Sequence, residues 1–214
     1  MSHPSALELT AALRTASIFD DVVPASQATS LKGPLLVHYP EHAVCKGEAI
    51  PRPTTLAQPE VEFKEADKDA TYSLFMVDPD LLKRNDTLSG QVRHWYETGV
   101  KFDGTSGRTV ISSQAGARND YVPPSPAYGT GKHRYVFLAA REPSPYSGPS
   151  SADFPTTGKA DLKDRMKFSV AKFMQDEGLT LEAAGWIEVD ADAAAMKDNL
   201  ALSAEAIKNK LTGQ

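Results

Sequence analysis

Cysteine is nearly missing from this chain. Cys45 is the one thiol in 214 residues, so an internal disulfide framework is excluded and a reducing, cytoplasmic setting fits. Flanked by Val44 and Lys46, that thiol reads as inert rather than nucleophilic. Long apolar runs are missing too: no segment approaches the ~20 residues that a membrane-spanning helix needs. Met1 to Thr15 has neither a basic n-region nor a continuous apolar stretch, which argues against a signal peptide. Nor is there an excess of positive charge. The net charge is −5 with both signs interspersed, so the electrostatic footprint of a nucleic-acid-binding protein is absent.

What is present is a series of short apolar runs. Leu35 to Tyr39, Val61 to Phe63, Tyr72 to Val77, His94 to Thr98, Arg134 to Ala140 and Gly185 to Val189 all have strand character. Their separators are rich in proline and glycine, which end strands and turn the chain. These strands do not alternate with helices, and their spacing is too irregular for a repeat protein. The economical fold class is mainly β: an antiparallel sandwich with peripheral helices at both ends, formed by residues 1–214 as a single domain.

Three helices are expected. Ser5 can cap the first, with Glu8 completing a capping box and Leu9, Leu13 and Ala16 on one face. Leu162, Met166, Val170 and Phe173 define a second that stops at Gly178, and Met196, Leu200, Ile207 and Leu211 a third. Ser144 to Lys159 reads as a polar loop, and Gly99 to Ala127 as the other long connection, where function tends to concentrate.

The chemistry sits at strand ends. Asp78-Pro79-Asp80 follows a buried strand, and a proline there cannot continue a central ladder, so the aspartates emerge at its end. Taken alone, the tripeptide is an ordinary turn. His94-Trp95 begins another strand. Gly129-Thr130-Gly131-Lys132-His133-Arg134-Tyr135 places a glycine turn and a histidine ahead of an apolar strand, and its glycines permit close approach of a ligand to backbone N–H groups. In a regular strand Arg134 points to the face opposite His133, which gives it a structural role.

The order of these elements, with Tyr121 and Pro123-Pro124-Ser125-Pro126 between them, resembles the phosphatidylethanolamine-binding protein family. That family includes the Raf kinase inhibitor protein and fungal carboxypeptidase inhibitors. The resemblance extends to Phe19-Asp20-Asp21-Val22-Val23-Pro24, Leu36-Val37-His38-Tyr39, Gly47-Glu48, Pro59 to Phe63 and Lys167 to Phe173. It implies a small cavity for phosphate, acetate or a phospholipid head group, lined by Asp78, Asp80, His94, Tyr121, Gly129, Gly131, His133 and Tyr135. Two imidazoles, a phenol and glycine N–H groups would donate to the anion. The chain departs from the family at the expected mouth, where Leu81-Leu82-Lys83-Arg84 follows the aspartates and Ser125-Pro126-Ala127-Tyr128 precedes the glycine. This more apolar rim suits a different amphiphile or a small metabolite.

Two functions from different classes follow. The first is a cytosolic binding protein for a small anionic or amphiphilic ligand, regulating or inhibiting a kinase or a serine carboxypeptidase. The second is a cofactor-free isomerase or cyclase in which Asp78, His94 and His133 perform acid–base chemistry on a small metabolite. No close spacing such as His-x-x-x-His points to a metal, and no cofactor is implied.

Overall fold

β-branched and aromatic residues fill the middle of the chain, and that is where its longest strands form. The computed structural model describes residues 4–84, 90–110, 118–149 and 162–192. Its strands are β1 (Gly33–Pro34), β2 (Leu36–Tyr39), β3 (His42–Val44), β4 (Lys46–Ala49), β5 (Glu60–Glu62), β6 (Tyr72–Asp78), β7 (Val92–Phe102), β8 (Thr109–Val110), β9 (Arg118–Asn119), β10 (His133–Arg141) and β11 (Thr180–Val189). Its α-helices are α1 (Ala6–Thr15), α2 (Ile18–Asp21), α3 (Leu162–Arg165) and α4 (Val170–Asp176). The expected mainly β fold with a few helices is the one observed.

The large sheet runs β1-β11-β10-β6-β7-β8, with β4 also on β11 and β9 also on β7; β3-β2-β5 form a small second sheet. Its central pairings, β11–β10, β10–β6 and β6–β7, are antiparallel, while β1 and β4 run parallel to β11.

Every residue of β6 is buried, because both faces of the central sheet are covered. On one face Phe75, Val77, Tyr96, Val136 and Leu138 pack with Leu9 and Leu13 of α1 and with Val170, Phe173 and Met174 of α4. On the other, Tyr72, Leu74, Met76, Trp95, Tyr135 and Phe137 pack with Val37, Tyr39 and Val61 of the second sheet and with Phe63. Burying these side chains contributes roughly 1.5–3 kcal/mol each before conformational entropy is set against it. The N-terminal helix starts as expected: Ser5 Oγ accepts from Glu8 N at 3.3 Å and Glu8 Oε2 from Ser5 N at 2.8 Å.

Two expectations are corrected. The apolar period from Leu162 to Gly178 is not one helix but α3 and α4, separated by a left-handed Lys167 (φ 57°). The backbone of Phe168 exchanges two 2.9 Å hydrogen bonds with Gln91, and Ser169 then caps α4 through its hydroxyl. Tertiary pairing therefore overrides local periodicity. Likewise, residues 99–127 are not a plain connection. β7 continues to Phe102, and β8 and β9 pair back onto it. The third expected helix, and most of the polar stretch from Ser144 to Lys159, lie outside the described residues.

Candidate functional site

Residues from β6, β7 and β10 meet where Pro79 stops the β6 ladder. Val136 pairs with Val77, so His133 and Tyr135, at the start of β10, run out beside the β6 terminus. Asp78 Oδ1 accepts from Asp80 N at 2.7 Å, which fixes the carboxylate within the turn. Its Oδ2 lies 2.8 Å from His133 Nδ1, and this pair is almost fully buried.

The other ring nitrogen of His133, Nε2, is 2.7 Å from Thr130 Oγ1, which also lies 2.6 Å from the Ala127 carbonyl oxygen. A hydroxyl has one proton to give. When Thr130 donates to Ala127, Nε2 must carry a proton and donate to Thr130; when Nε2 is bare, Thr130 donates to it. Gly129 and Gly131 flank Thr130 with φ of 85° and 84°, a conformation that costs glycine little. A Cβ at either position would meet nothing within 4 Å, so the turn is open on its outer side.

His94 arrives by a bulge. Met76 pairs with Trp95 and Val77 with Arg93, which leaves His94 as the extra residue of β7. Arg93 lies 5.0 Å over the Phe168 ring on the helix-covered face, whereas Trp95 packs in the opposite cluster. The bulge turns His94 to the Trp95 side, edge-on to Tyr135 with ring centroids 5.1 Å apart. Its Nδ1 donates to Val122 O at 2.9 Å, and burial holds its pKa below the usual imidazole value despite the opposing charge of Asp78. His94 is thus a neutral ring whose Nε2 is an acceptor. With Nδ1 engaged by Val122 O, His94 offers an acceptor where a donor was expected.

Tyr135 lies between the two histidines, with its ring stacked on His133 at 6.4 Å. Its hydroxyl accepts from Ser125 N at 3.1 Å, and burial followed by the nearby charge of Asp78 raises its pKa well above the phenol value. Tyr121 stands further back, edge-on to Trp95 at 6.3 Å. It donates to Thr55 O at 2.7 Å and lies 3.0 Å from the Tyr39 hydroxyl, which therefore donates to it. Its hydroxyl braces the second sheet instead of meeting the histidines.

Asp80 also turns away from the histidines. It is fully buried and accepts from Arg134 three times: from N and Nε at Oδ2, both at 2.9 Å, and from Nη2 at Oδ1, at 2.6 Å. Arg134 further donates to Asp21 Oδ2 at 2.9 Å and to Ala16 O at 2.6 Å. Burial works against the guanidinium charge, but Asp80 and Asp21 outweigh it and raise its pKa. Asp80 was expected to line the pocket; its carboxylate instead holds Arg134, whose guanidinium ties the start of β10 to the N-terminal helices.

The structure thus brings together Asp78, His94, His133 and Tyr135, keeps Gly129 and Gly131 at the opening, and sets Tyr121 and Asp80 apart. At the expected rim, Leu81 is half-buried, whereas Leu82 and Tyr128 are exposed, Tyr128 to 80%. Thr130 was passed over in the sequence. Its offset of three residues from His133 across a glycine turn was the available signal. Among the described residues no group of three or more acidic, histidine or cysteine side chains could hold a metal.

Fold and site together define a mainly β protein with a buried aspartate–histidine cluster at the end of its central strands. A profile of the phosphatidylethanolamine-binding protein family matches residues 40–186, and the chain belongs to that family. A Plasmodium vivax phosphatidylethanolamine-binding protein superposes with a TM-score of 0.73 at 21% identity, over 90% of this chain and 100% of that one. The carboxypeptidase Y inhibitor, in complex with its cognate proteinase, gives 0.67 at 20% identity, over 86% of this chain and 95% of that one. These two likenesses concern the fold. In sequence, an uncharacterized Saccharomyces cerevisiae protein is 32% identical over 123 residues, covering 54% of this chain and 61% of that protein. The phomoidride biosynthesis cluster protein N of Talaromyces stipitatus is 31% identical over 115 residues, covering 53% and 56%. The match therefore spans little more than half of these relatives' length.

Proposed function

We propose that this chain binds a small anionic group, such as phosphate or a phosphate-bearing head group, at the Asp78–His133–His94 cluster. The observation that carries the reading is the His133 ring, held between Asp78 and Thr130 beside an open glycine turn. The Thr130 hydroxyl, backed by the His133 ring, and the backbone N–H groups of the turn offer donors to the anion, and a hydrogen bond to a charged group of this kind is about twice as strong as a neutral one. His94 adds an acceptor. Its bare Nε2 suits a ligand that keeps a proton, such as monohydrogen phosphate, or one that carries an ammonium group.

Acting from this site on a protein, as a regulator or inhibitor of a kinase or a serine carboxypeptidase, is the extension we favour. Family membership supports it, as does the shared fold of the carboxypeptidase Y inhibitor. No helix among the described residues is long and apolar enough to cross a membrane. The single buried thiol, its pKa pushed up to about 11 by burial and by Glu48, fits a reducing cytoplasm.

Calorimetric titration with inorganic phosphate and with a short-chain phosphatidylethanolamine tests the reading. Saturable binding of either, lost in His133→Ala, is expected. Binding that is unchanged in His133→Ala would place the ligand elsewhere.

A further inference from the structure

Thr130 has a role that the binding reading leaves unused. Its Oγ1 lies 2.7 Å from His133 Nε2, and His133 Nδ1 lies 2.8 Å from Asp78 Oδ2. Both separations fall in the range that an activated hydroxyl and its base require, with a third group orienting the base. We propose that Thr130 is a catalytic nucleophile, with His133 as its general base and Asp78 orienting the imidazole, in acyl transfer from small activated esters to water. The inference uses the same cluster as the binding reading but does not depend on it.

The surroundings suit this chemistry. Thr130 is half-buried and sits on a turn whose flanking glycines have open space beside them. A planar ester can therefore reach Oγ1 from outside, while the base stays buried behind it. Among the described residues the N–H groups of Gly131 and Lys132 make no backbone hydrogen bond, which leaves them available to a developing oxyanion. Asp78 is held ready: Asp80 N occupies its Oδ1 and the imidazole its Oδ2, so the ring is fixed in the tautomer with Nδ1 protonated. The bond from Thr130 to Ala127 O is the resting alternative, in which Nε2 carries a proton; once Nε2 has given that proton to solvent, the hydroxyl turns its own proton to the bare nitrogen.

The steps balance without a cofactor. Oγ1 attacks the ester carbonyl carbon, its proton passes to Nε2, and the carbonyl electron pair moves onto oxygen. Collapse of that oxyanion breaks the ester C–O bond, and Nε2–H protonates the leaving alkoxide. Water then attacks the acyl-threonine and gives its proton to Nε2. The bond between the acyl carbon and Oγ1 breaks, the proton returns from Nε2 to Oγ1, and the net change is ester plus water to acid plus alcohol.

Incubation with p-nitrophenyl acetate, following nitrophenolate release and peptide mass spectra, tests the proposal. A burst with the acetyl group located on Thr130 is expected. Thr130→Ala should lose that label, Thr130→Ser should keep it on the new hydroxyl, and His133→Ala should slow acylation about a hundredfold or more. Cys45→Ser, which removes the one thiol, should leave the burst unchanged. Circular dichroism establishes that each variant folds; if Thr130→Ala does not, the location of the label in the unaltered chain decides. Acetyl groups only on lysines, Cys45 or the N-terminus overturn the proposal, and so does a Thr130→Ala variant that is acylated and turns over like the unaltered chain. Failed acylation with intact phosphate binding sinks the proposal alone. Acylation without any phosphate binding sinks the binding reading alone.

Discussion

Asp78 and Asp80 stand two residues apart on one turn, and their partners His133 and Arg134 are neighbours on one strand, yet the two pairs do different work. Adjacent strand residues point to opposite faces, so the pairs are separated by the thickness of the sheet. Arg134 is always charged and saturates its partner with planar, multiple hydrogen bonds while also holding Asp21 and Ala16 O. His133 makes one bond to Asp78 and one to a hydroxyl that has a second place to send its proton. A buried ion pair with four of its five guanidinium donors committed is a brace; a buried imidazole beside a hydroxyl with two places to send its proton is a site.

This contrast is tested first where it should be largest. Asp80→Ala leaves the Arg134 charge buried without its main partner, and the expected loss of stability is about 3–5 kcal/mol, measured by urea unfolding. A loss as small as that of a surface substitution would break the contrast, because Arg134 would then not be the brace. Next come the site residues. His133→Ala and His94→Ala are each expected to weaken phosphate binding by about 1.5–3 kcal/mol in calorimetric titration, the worth of a hydrogen bond to a charged group. If Asp80→Asn, at matched folded fraction, weakened binding equally, the two faces would be one functional unit.

A smaller effect is expected in pH. Burial lowers the pKa of His94 in the folded chain, so the unfolded chain takes up the proton first. The His94 contribution to stability is therefore complete above the ordinary imidazole value of about 6.5 and is lost as pH falls below it. Thermal melts between about pH 5 and 7.5 should show a midpoint that drops on acidification, and His94→Asn should flatten that slope. The smallest effect is expected at Tyr121→Phe, which removes the bonds to Thr55 O and Tyr39. It should cost about 0.5–1.5 kcal/mol of stability and leave phosphate affinity alone. A large loss of affinity there would return Tyr121 to the site.

Much of this was legible in the residues themselves. The long strands announce themselves by apolar runs and β-propensity, Ser5 and Glu8 by capping chemistry, and the end of β6 by Pro79, which has no N–H to give. Alternation alone assigned His133 and Arg134 to opposite faces. The Asp–His meeting needed only that two strand ends lie side by side.

What alternation could not supply was the place of His94. A regular strand would set it on the face opposite Trp95, and only the bulge against β6, formed where Met76 and Val77 pair with Trp95 and Arg93, turns both to the same side. Asp80 shows the same limit: its type fits a pocket, but a guanidinium from the next strand takes both its oxygens. The break between α3 and α4 arises because Phe168 finds Gln91, 77 residues away in the sequence, and that pairing outweighs a local apolar period. Residue type and local period thus determined which strands, caps and polar groups exist. Which of those polar groups meet was decided by register, bulges and long-range pairing, because a hydrogen bond is satisfied by whichever partner the folded chain brings within about 3 Å.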